Sequence, residues 1–182
     1  NINVAGYDQR KSFVTNQLNQ DGIEVDFELS NLKYSNKTLY IYSSAISMKE
    51  TGFIKYLDNE NILSRPEYLN LLSQENKIIG VTGTHGKTST TALLAHIFHH
   101  NDKNASYIFG GMTSFHGIGG HYGGKNQPII LETDEAFNTF KDIKIDDLLV
   151  TNIDVDHLDY FDTFDNLINA FKYVIENVKG NL

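Results

Sequence analysis

The stretch that most limits how this chain can fold is Ile78 to Phe98, "IIGVTGTHGKTSTTALLAHIF". It opens with apolar and small residues suited to a buried strand, and from Ser89 onward it suits a helix. Between the two, Gly83-Thr84-His85-Gly86-Lys87-Thr88 has almost no bulky side chain. A strand that runs through such a loop into a helix is the repeating unit of a parallel sheet covered by helices. The loop is also electrostatically special, because the first amides of a helix have no carbonyl within it to bond and the helix dipole leaves partial positive charge there. Backbone N–H groups of Thr84 to Thr88 can cradle phosphate oxygens, with Lys87 neutralising terminal phosphates and the Thr88 hydroxyl placed to ligate Mg2+. The general nucleotide-loop pattern asks for a glycine five residues before Gly86, where this chain has Val81, so only the Gly-Lys-Thr half is matched.

The remainder of the chain alternates short strands and helices. Strands are expected at Ile2 to Ala5, Ile23 to Leu29 and Leu39 to Ser43, with a helix from Ser12 to Asn19 closed by Gly22. Ser64-Arg65-Pro66-Glu67 is a capping-box signature opening a helix through Leu72, and Gln74 to Lys77 reads as a linker. The expected fold is α/β: a doubly wound half-domain over 1–76, then a second domain over 77–182 with a mainly parallel sheet. In the second domain, Ile129 to Thr133 and Leu148 to Ile153 read as buried strands. Phe164, Leu167, Ile168, Phe171, Val174, Ile175 and Val178 form the core-facing stripe of a helix. Phe109 to Lys125, with seven glycines, reads as a loop shaped to approach a ligand or a neighbouring backbone.

In an open parallel sheet, ligands lie beyond the carboxyl ends of the strands. Two further strand ends carry chemistry. Leu131-Glu132-Thr133-Asp134-Glu135 places a carboxylate directly after a buried strand, where it either repels a triphosphate or holds the metal that screens it. Thr151-Asn152-Ile153-Asp154-Val155-Asp156-His157-Leu158-Asp159 gathers acids and an imidazole. Such a cluster serves metal ligation or acid–base work, or it decorates a turn and caps the next helix. His96, His99 and His100 read as surface or dipole-complementing residues and His116 as part of the glycine loop with no evident partner, whereas His85 lies in the phosphate loop itself.

Bulk properties remove several classes. With 40% apolar residues over 182, a packed core is affordable, and a net charge of -8 offers no basic stripe for nucleic acid or an anionic membrane surface. The absence of cysteine excludes disulfides and thiolate metal sites. Apolar runs such as "ALLAHIF" fall well short of the ~20 residues a membrane span needs, and the N-terminus lacks a secretory pattern, so a cytoplasmic location is expected.

Taken in order, "GTHGKTSTT", "LETDE" and "TNIDVDHLD" resemble the Mur ligases, ATP-dependent enzymes of peptidoglycan precursor synthesis whose phosphate loop has the form G-T-x-G-K-T/S. The loop histidine and "YSSAI" at 42–46 are most similar to the branch that joins L-alanine to UDP-N-acetylmuramate. The branch that reattaches recycled murein peptide is the nearest alternative, and an ATP-binding module that transfers nothing is a further one. The resemblance implies a Rossmann-like UDP-substrate domain over 1–76 and an ATP-binding P-loop domain over 77–182, with ATP and Mg2+ as cofactors. It implies a nucleotide loop of Gly83, Thr84, His85, Gly86, Lys87, Thr88 and Ser89, and catalysis carried by Lys87, Glu132 and His157. Thr88 and Glu132 would hold one Mg2+ and His157 a second. Substrate contacts would come from Asp8, Ser43, Ser44, Ala45, Gly110, Gly111, Asp134 and Glu135. Thr133 and Ala136 stand where the family's E-A-D-E-S segment has alanine and serine, and Gly6-Tyr7-Asp8 stands where it has G-S-D. The resemblance also implies a fragment, lacking the family's first strand-loop and its third domain and inactive by itself.

Overall fold

The computed structural model describes residues 2–31, 35–43, 61–135, 140–155 and 158–181. The chain divides into two compact units, Asn1–Tyr68 and Leu69–Leu182. Both are α/β.

In the first unit, β1 (Ala5–Tyr7) pairs in parallel with β2 (Glu24–Asp26), and α1 (Phe13–Gln20) lies between them in sequence. Ser12 caps α1 reciprocally with Thr15: the Thr15 amide donates to Ser12 Oγ at 3.2 Å, and the Ser12 amide donates to Thr15 Oγ1 at 2.9 Å. Gly22 takes the expected positive φ of 82° beyond the helix. β1 lies three residues later than its apolar pattern suggests. Its register is set by pairing with β2, carried one step further where the Asp8 amide donates to Asp26 O, and a single segment's hydropathy does not contain that partner. The stretch after β2 turns into a 3-10 helix at Leu29–Asn31 instead of continuing as strand. β3 (Tyr40–Tyr42) pairs in parallel with β4 (Ile62–Ser64), and Ile41 is exposed rather than buried.

α2 (Arg65–Glu75) starts with the capping box read from the sequence, as Ser64 N and Oγ both donate to Glu67 Oε2, at 2.7 and 2.6 Å. The helix continues three residues past Leu72. The boundary between the units falls within this helix, whose Leu69 joins the apolar core of the second unit and whose Ser73 Oγ accepts from the Lys144 amide at 3.0 Å.

The second unit is built on a five-stranded sheet in the order β7-β6-β8-β5-β9. Its strands are β5 (Ile78–Thr82), β6 (Ser106–Thr113), β7 (Gly117–His121), β8 (Ile129–Glu132) and β9 (Asp147–Val150). All neighbouring pairs are parallel except β6 with β7. Helix α3 (Lys87–His100) connects β5 to β6, and α4 (Leu158–Phe161) and α5 (Phe164–Glu176) follow β9. Both faces of the sheet are buried, and the side-chain alternation of a strand sorts residues between them. Ile129 and Leu131 of β8 enter a cluster with Phe140, Leu148, Leu167, Phe171 and Val174, whereas Ile130 packs on the other side with Val81, Ala95 and Tyr107. On α5 the buried positions Leu167, Ala170, Phe171 and Val174 keep the helical spacing, and Thr163 caps the helix through the Asn166 amide.

The glycine-rich segment expected as a loop is instead an antiparallel hairpin, β6 against β7, with a register shift between Ile108 and Met112. A Cβ on Gly119 would lie 2.6 Å from Gly111 O. The glycines therefore let two backbones approach, a non-local need that leaves no apolar alternation to read.

Asp147 anchors the start of β9. Lys77 Nζ lies 2.8 Å from its Oδ2, and the Asn181 amide and side chain both donate to Oδ1. The Lys77 bond first, then those from Asn181, hold the Asp147 carboxyl down to about 2 from its ordinary 3.8. A carboxyl depressed by folding stabilises the folded state fully above its unfolded value and loses that share as pH falls through its folded value. Asp147→Asn is accordingly expected to flatten the fall in stability between about pH 4 and 2, the window set by those two values. Urea melts across that range test it, and an unchanged slope contradicts it.

Candidate functional site

Strands β8, β5 and β9 are adjacent and parallel, with Val81 level with Glu132 and Thr82 level with Val150. Neighbouring strands run about 4.8 Å apart. The three polar strand ends noted in the sequence therefore open side by side at the carboxyl end of the sheet.

The loop after β5 turns at two positive-φ glycines, Gly83 at 130° and Gly86 at 82°, and Gly86 is the N-cap of α3 with no side-chain cap bond. The amides of Lys87, Thr88 and Ser89 thus begin the helix with no intrahelical acceptor. An open cavity of about 380 Å³ lies in front of them, lined by Thr84, His85, Gly86, Lys87, Thr88, Ser89 and Glu132. The expected cradle of Thr84 to Thr88 narrows here. The Thr84 amide donates to Asn152 O at 3.1 Å and the His85 amide to Asn152 Oδ1 at 3.0 Å, so both are already engaged.

Thr151 and Asn152 were not read as site residues, yet they brace the loop. Asn152 Nδ2 and Thr151 Oγ1 both donate to His85 O, at 2.8 and 2.6 Å, and the Asp154 amide donates to Thr84 Oγ1 at 2.9 Å. β9 ends at Val150 rather than Ile153, and the next residues leave the strand to hold the loop. The signal was present in "TNID": two polar side chains directly after a buried strand, outweighed by the acids that follow them.

Lys87 turns back over its own loop. Its Nζ donates to Gly83 O at 2.8 Å and to both oxygens of Glu135, at 3.1 and 2.9 Å, with Asp134 Oδ1 3.8 Å away. The Glu135 side chain is 1% exposed and that of Asp134 53%. Glu135, expected against substrate, lies buried against the loop lysine.

Thr88 Oγ1 donates to Glu132 Oε1 at 2.7 Å, and the Gly110 amide donates to Glu132 Oε2 at 2.7 Å. A Cβ on Gly111 would meet Thr88 Cγ2 at 2.8 Å. The hairpin glycines expected at the substrate thus border the Thr88–Glu132 pair. A hydroxyl beside a carboxylate suits a hard cation that prefers oxygen ligands. Among the described residues no group of three or more His, Cys, Asp or Glu could hold a metal by itself. The pair therefore fits the mode in which Mg2+ takes one or two protein oxygens and completes its shell with substrate phosphates.

In the first unit, Asp8 follows β1 and Ser43 follows β3, each just past the carboxyl end of a parallel strand. Asp8 Oδ1 accepts from the Arg10 amide at 2.9 Å. Ser44, Ala45 and His157 lie outside the described residues.

The histidines given a bland role join an aromatic cluster with Phe115 between the end of α3 and the β6–β7 hairpin. His116, read as lacking a partner, shares a 2.7 Å hydrogen bond with the Tyr107 hydroxyl through Nδ1, and its ring stacks on His121 with centroids 3.9 Å apart. Burial first, and then the charge of His99, lowers the His116 pKa.

The Mur ligase middle-domain model matches residues 81–182, and the chain belongs to the Mur ligase family. The UDP-N-acetylmuramate–L-alanine ligase of Wolbachia pipientis wMel is 32% identical over 178 residues, covering 97% of this chain and 36% of the relative. The corresponding ligase of Cytophaga hutchinsonii is 30% identical over 190 residues, covering 98% and 41%. The chain thus spans little more than a third of the length of these curated relatives. Among solved structures, the UDP-N-acetylmuramate-alanine ligase MurC of Thermotoga maritima superposes with a TM-score of 0.83 at 27% identity, covering 98% of this chain and 42% of that one. The UDP-N-acetylmuramate:L-alanyl-gamma-D-glutamyl-meso-diaminopimelate ligase of Neisseria meningitides gives 0.74 at 20% identity, covering 96% and 60%, and shows likeness of fold.

Proposed function

We propose that the protein to which this chain belongs joins L-alanine to UDP-N-acetylmuramate at the expense of ATP, as a cytoplasmic enzyme of peptidoglycan precursor synthesis. The observation that carries the reading is the meeting of Lys87, Thr88 and Glu132 at adjacent strand ends before an uncapped helix N-terminus. The named relatives support the choice of substrates.

On this reading residues 77–182 bind ATP and residues 1–76 the UDP-sugar. The amides opening α3, with Lys87, receive the phosphates. The acceptor carboxylate oxygen attacks the γ-phosphorus of ATP and the bond to the bridging oxygen breaks, giving ADP and an acyl phosphate. The L-alanine amine then adds to the acyl carbon, and the tetrahedral adduct loses phosphate and a proton to leave the amide. This chain's contribution is positioning and charge compensation, the main terms in phosphoryl transfer. Thr88 and Glu132 would hold Mg2+, which when bound neutralises charge on the transferring phosphoryl group, and His157 would serve a second ion. On the family resemblance Asp8, Ser43, Ser44 and Ala45 would serve the UDP-sugar, Gly110 and Gly111 the muramoyl group, and Asp134 the reacting end.

The test is phosphate release by the whole protein, expected only when ATP, UDP-N-acetylmuramate and L-alanine are all present. Release with ATP alone identifies an ATPase module. A requirement for a tripeptide in place of L-alanine identifies the recycling ligase.

A further inference from the structure

An ammonium group has three protons to donate, and Lys87 Nζ has four protein acceptors to share them: Gly83 O at 2.8 Å, the two Glu135 oxygens at 2.9 and 3.1 Å, and Thr84 O at 3.4 Å. Its charge is matched by a carboxylate that is itself almost fully buried, its side chain 1% exposed. Two more carboxylates leave the same strand end: Asp134, 3.8 Å from Lys87 Nζ, and Glu132, bonded to Thr88. A phosphate entering the loop therefore meets a lysine already neutralised, with further negative charge beside it.

We infer that Glu135 is a specificity-determining positioning residue, which cancels the charge of Lys87 so that the loop admits nucleotide as its divalent-metal complex and rejects the metal-free polyanion. The inference deepens the nucleotide reading above and rests on it. The geometry allows a simple exchange on binding. One of the two Lys87–Glu135 bonds can pass to a phosphate oxygen while the other keeps the buried carboxylate paired, so Lys87 stays over the loop in both states. A metal-free triphosphate gains that bond but meets a lysine whose charge Glu135 already matches, beside the carboxylates of Asp134 and Glu132. In the metal complex much of the phosphate charge is already screened, and the Glu132 carboxylate, with the Thr88 hydroxyl beside it, would hold the metal instead of repelling the phosphates.

The test is the affinity of the whole protein for a non-hydrolysable ATP analogue, measured by calorimetry with Mg2+ and with EDTA. The wild-type chain is expected to prefer the magnesium complex by well over tenfold. Glu135→Gln, which keeps an acceptor but removes the charge, is expected to narrow that ratio roughly tenfold by tightening the metal-free form, the scale that one close charge commands in a partly screened site. Glu135→Asp retains the charge and should retain the discrimination. A ratio unchanged in Glu135→Gln overturns the inference, as does an equal loss of affinity for both forms, which is what a purely structural residue would give. Wild-type protein that binds both forms alike overturns it without any variant and leaves nucleotide binding intact. Wild-type protein that binds neither removes the nucleotide reading itself.

Discussion

Replacing Lys87 with Met is expected to cost about 3 kcal/mol of folding stability, because it leaves the Glu135 carboxylate buried without its cation. Lys87 and Glu135 side chains are 14% and 1% exposed, and the carboxylate receives two bonds from Nζ. Breaking a buried ion pair from one side leaves an uncompensated charge, whereas neutralising both sides removes the penalty together with the pair. Lys87→Met/Glu135→Gln should therefore recover most of the loss, to within about 1 kcal/mol of the wild type. Urea denaturation of the two single variants and the double variant closes the cycle. Additive losses, with no recovery in the double variant, would show that the two side chains do not depend on each other. Nucleotide binding is expected to vanish in both Lys87 variants, since the phosphate partner is gone in each.

Gly83→Ala is the second large effect. At a φ of 130° an added Cβ is strained in its own right, and here it would strike the Thr151 hydroxyl and lie 2.6 Å from Asn152 O. Both atoms belong to the brace that fixes the loop, and backbone cannot step aside as a flexible side chain can. The expected cost is about 3 kcal/mol or more, with nucleotide affinity down by roughly a hundredfold as the loop is pushed off Thr151 and Asn152. Gly86→Ala is the matched comparison. Gly86 also has positive φ, but its Cβ would meet nothing within 4 Å, so only the backbone penalty of about 1 kcal/mol is expected. Equal effects at the two glycines would mean that contact with the β9 exit is unimportant.

The contrast between these glycines also marks what the sequence could disclose. That Ile78 to Phe98 is strand, loop and helix follows from local composition, and so does the burial of Ile129 to Leu131 on both faces of a parallel sheet. The capping box at Ser64–Glu67 was legible for the same reason, since all of its partners lie within one turn. What stayed hidden depended on partners distant in the chain. Lys87 and Glu135 are 48 positions apart, and they meet because β8 inserts between β6 and β5, a strand order that hydropathy does not encode. Asn152 grips His85 across 67 positions for a similar reason. The β6–β7 hairpin was read as a loop because glycine carries neither alternation nor β-propensity, although its backbones pair. His116 looked isolated until the fold carried Tyr107 to it. Of the site, Lys87, Thr88 and Glu132 are legible from residue type and strand-end position, and the fold brings them together. The Thr151–Asn152 brace and the pairing of Glu135 with Lys87 depend on the topology.

Ligation through a phosphorylated carboxyl leaves an isotopic trace that hydrolysis of ATP does not. Supplied to the whole protein with ATP and L-alanine, UDP-N-acetylmuramate labelled with heavy oxygen in its carboxylate should deliver one labelled oxygen to each phosphate released, read by phosphorus NMR or mass spectrometry. Unlabelled phosphate would mean that water, rather than the acceptor, attacks the nucleotide, and would contradict the assignment of this loop to amide-bond formation.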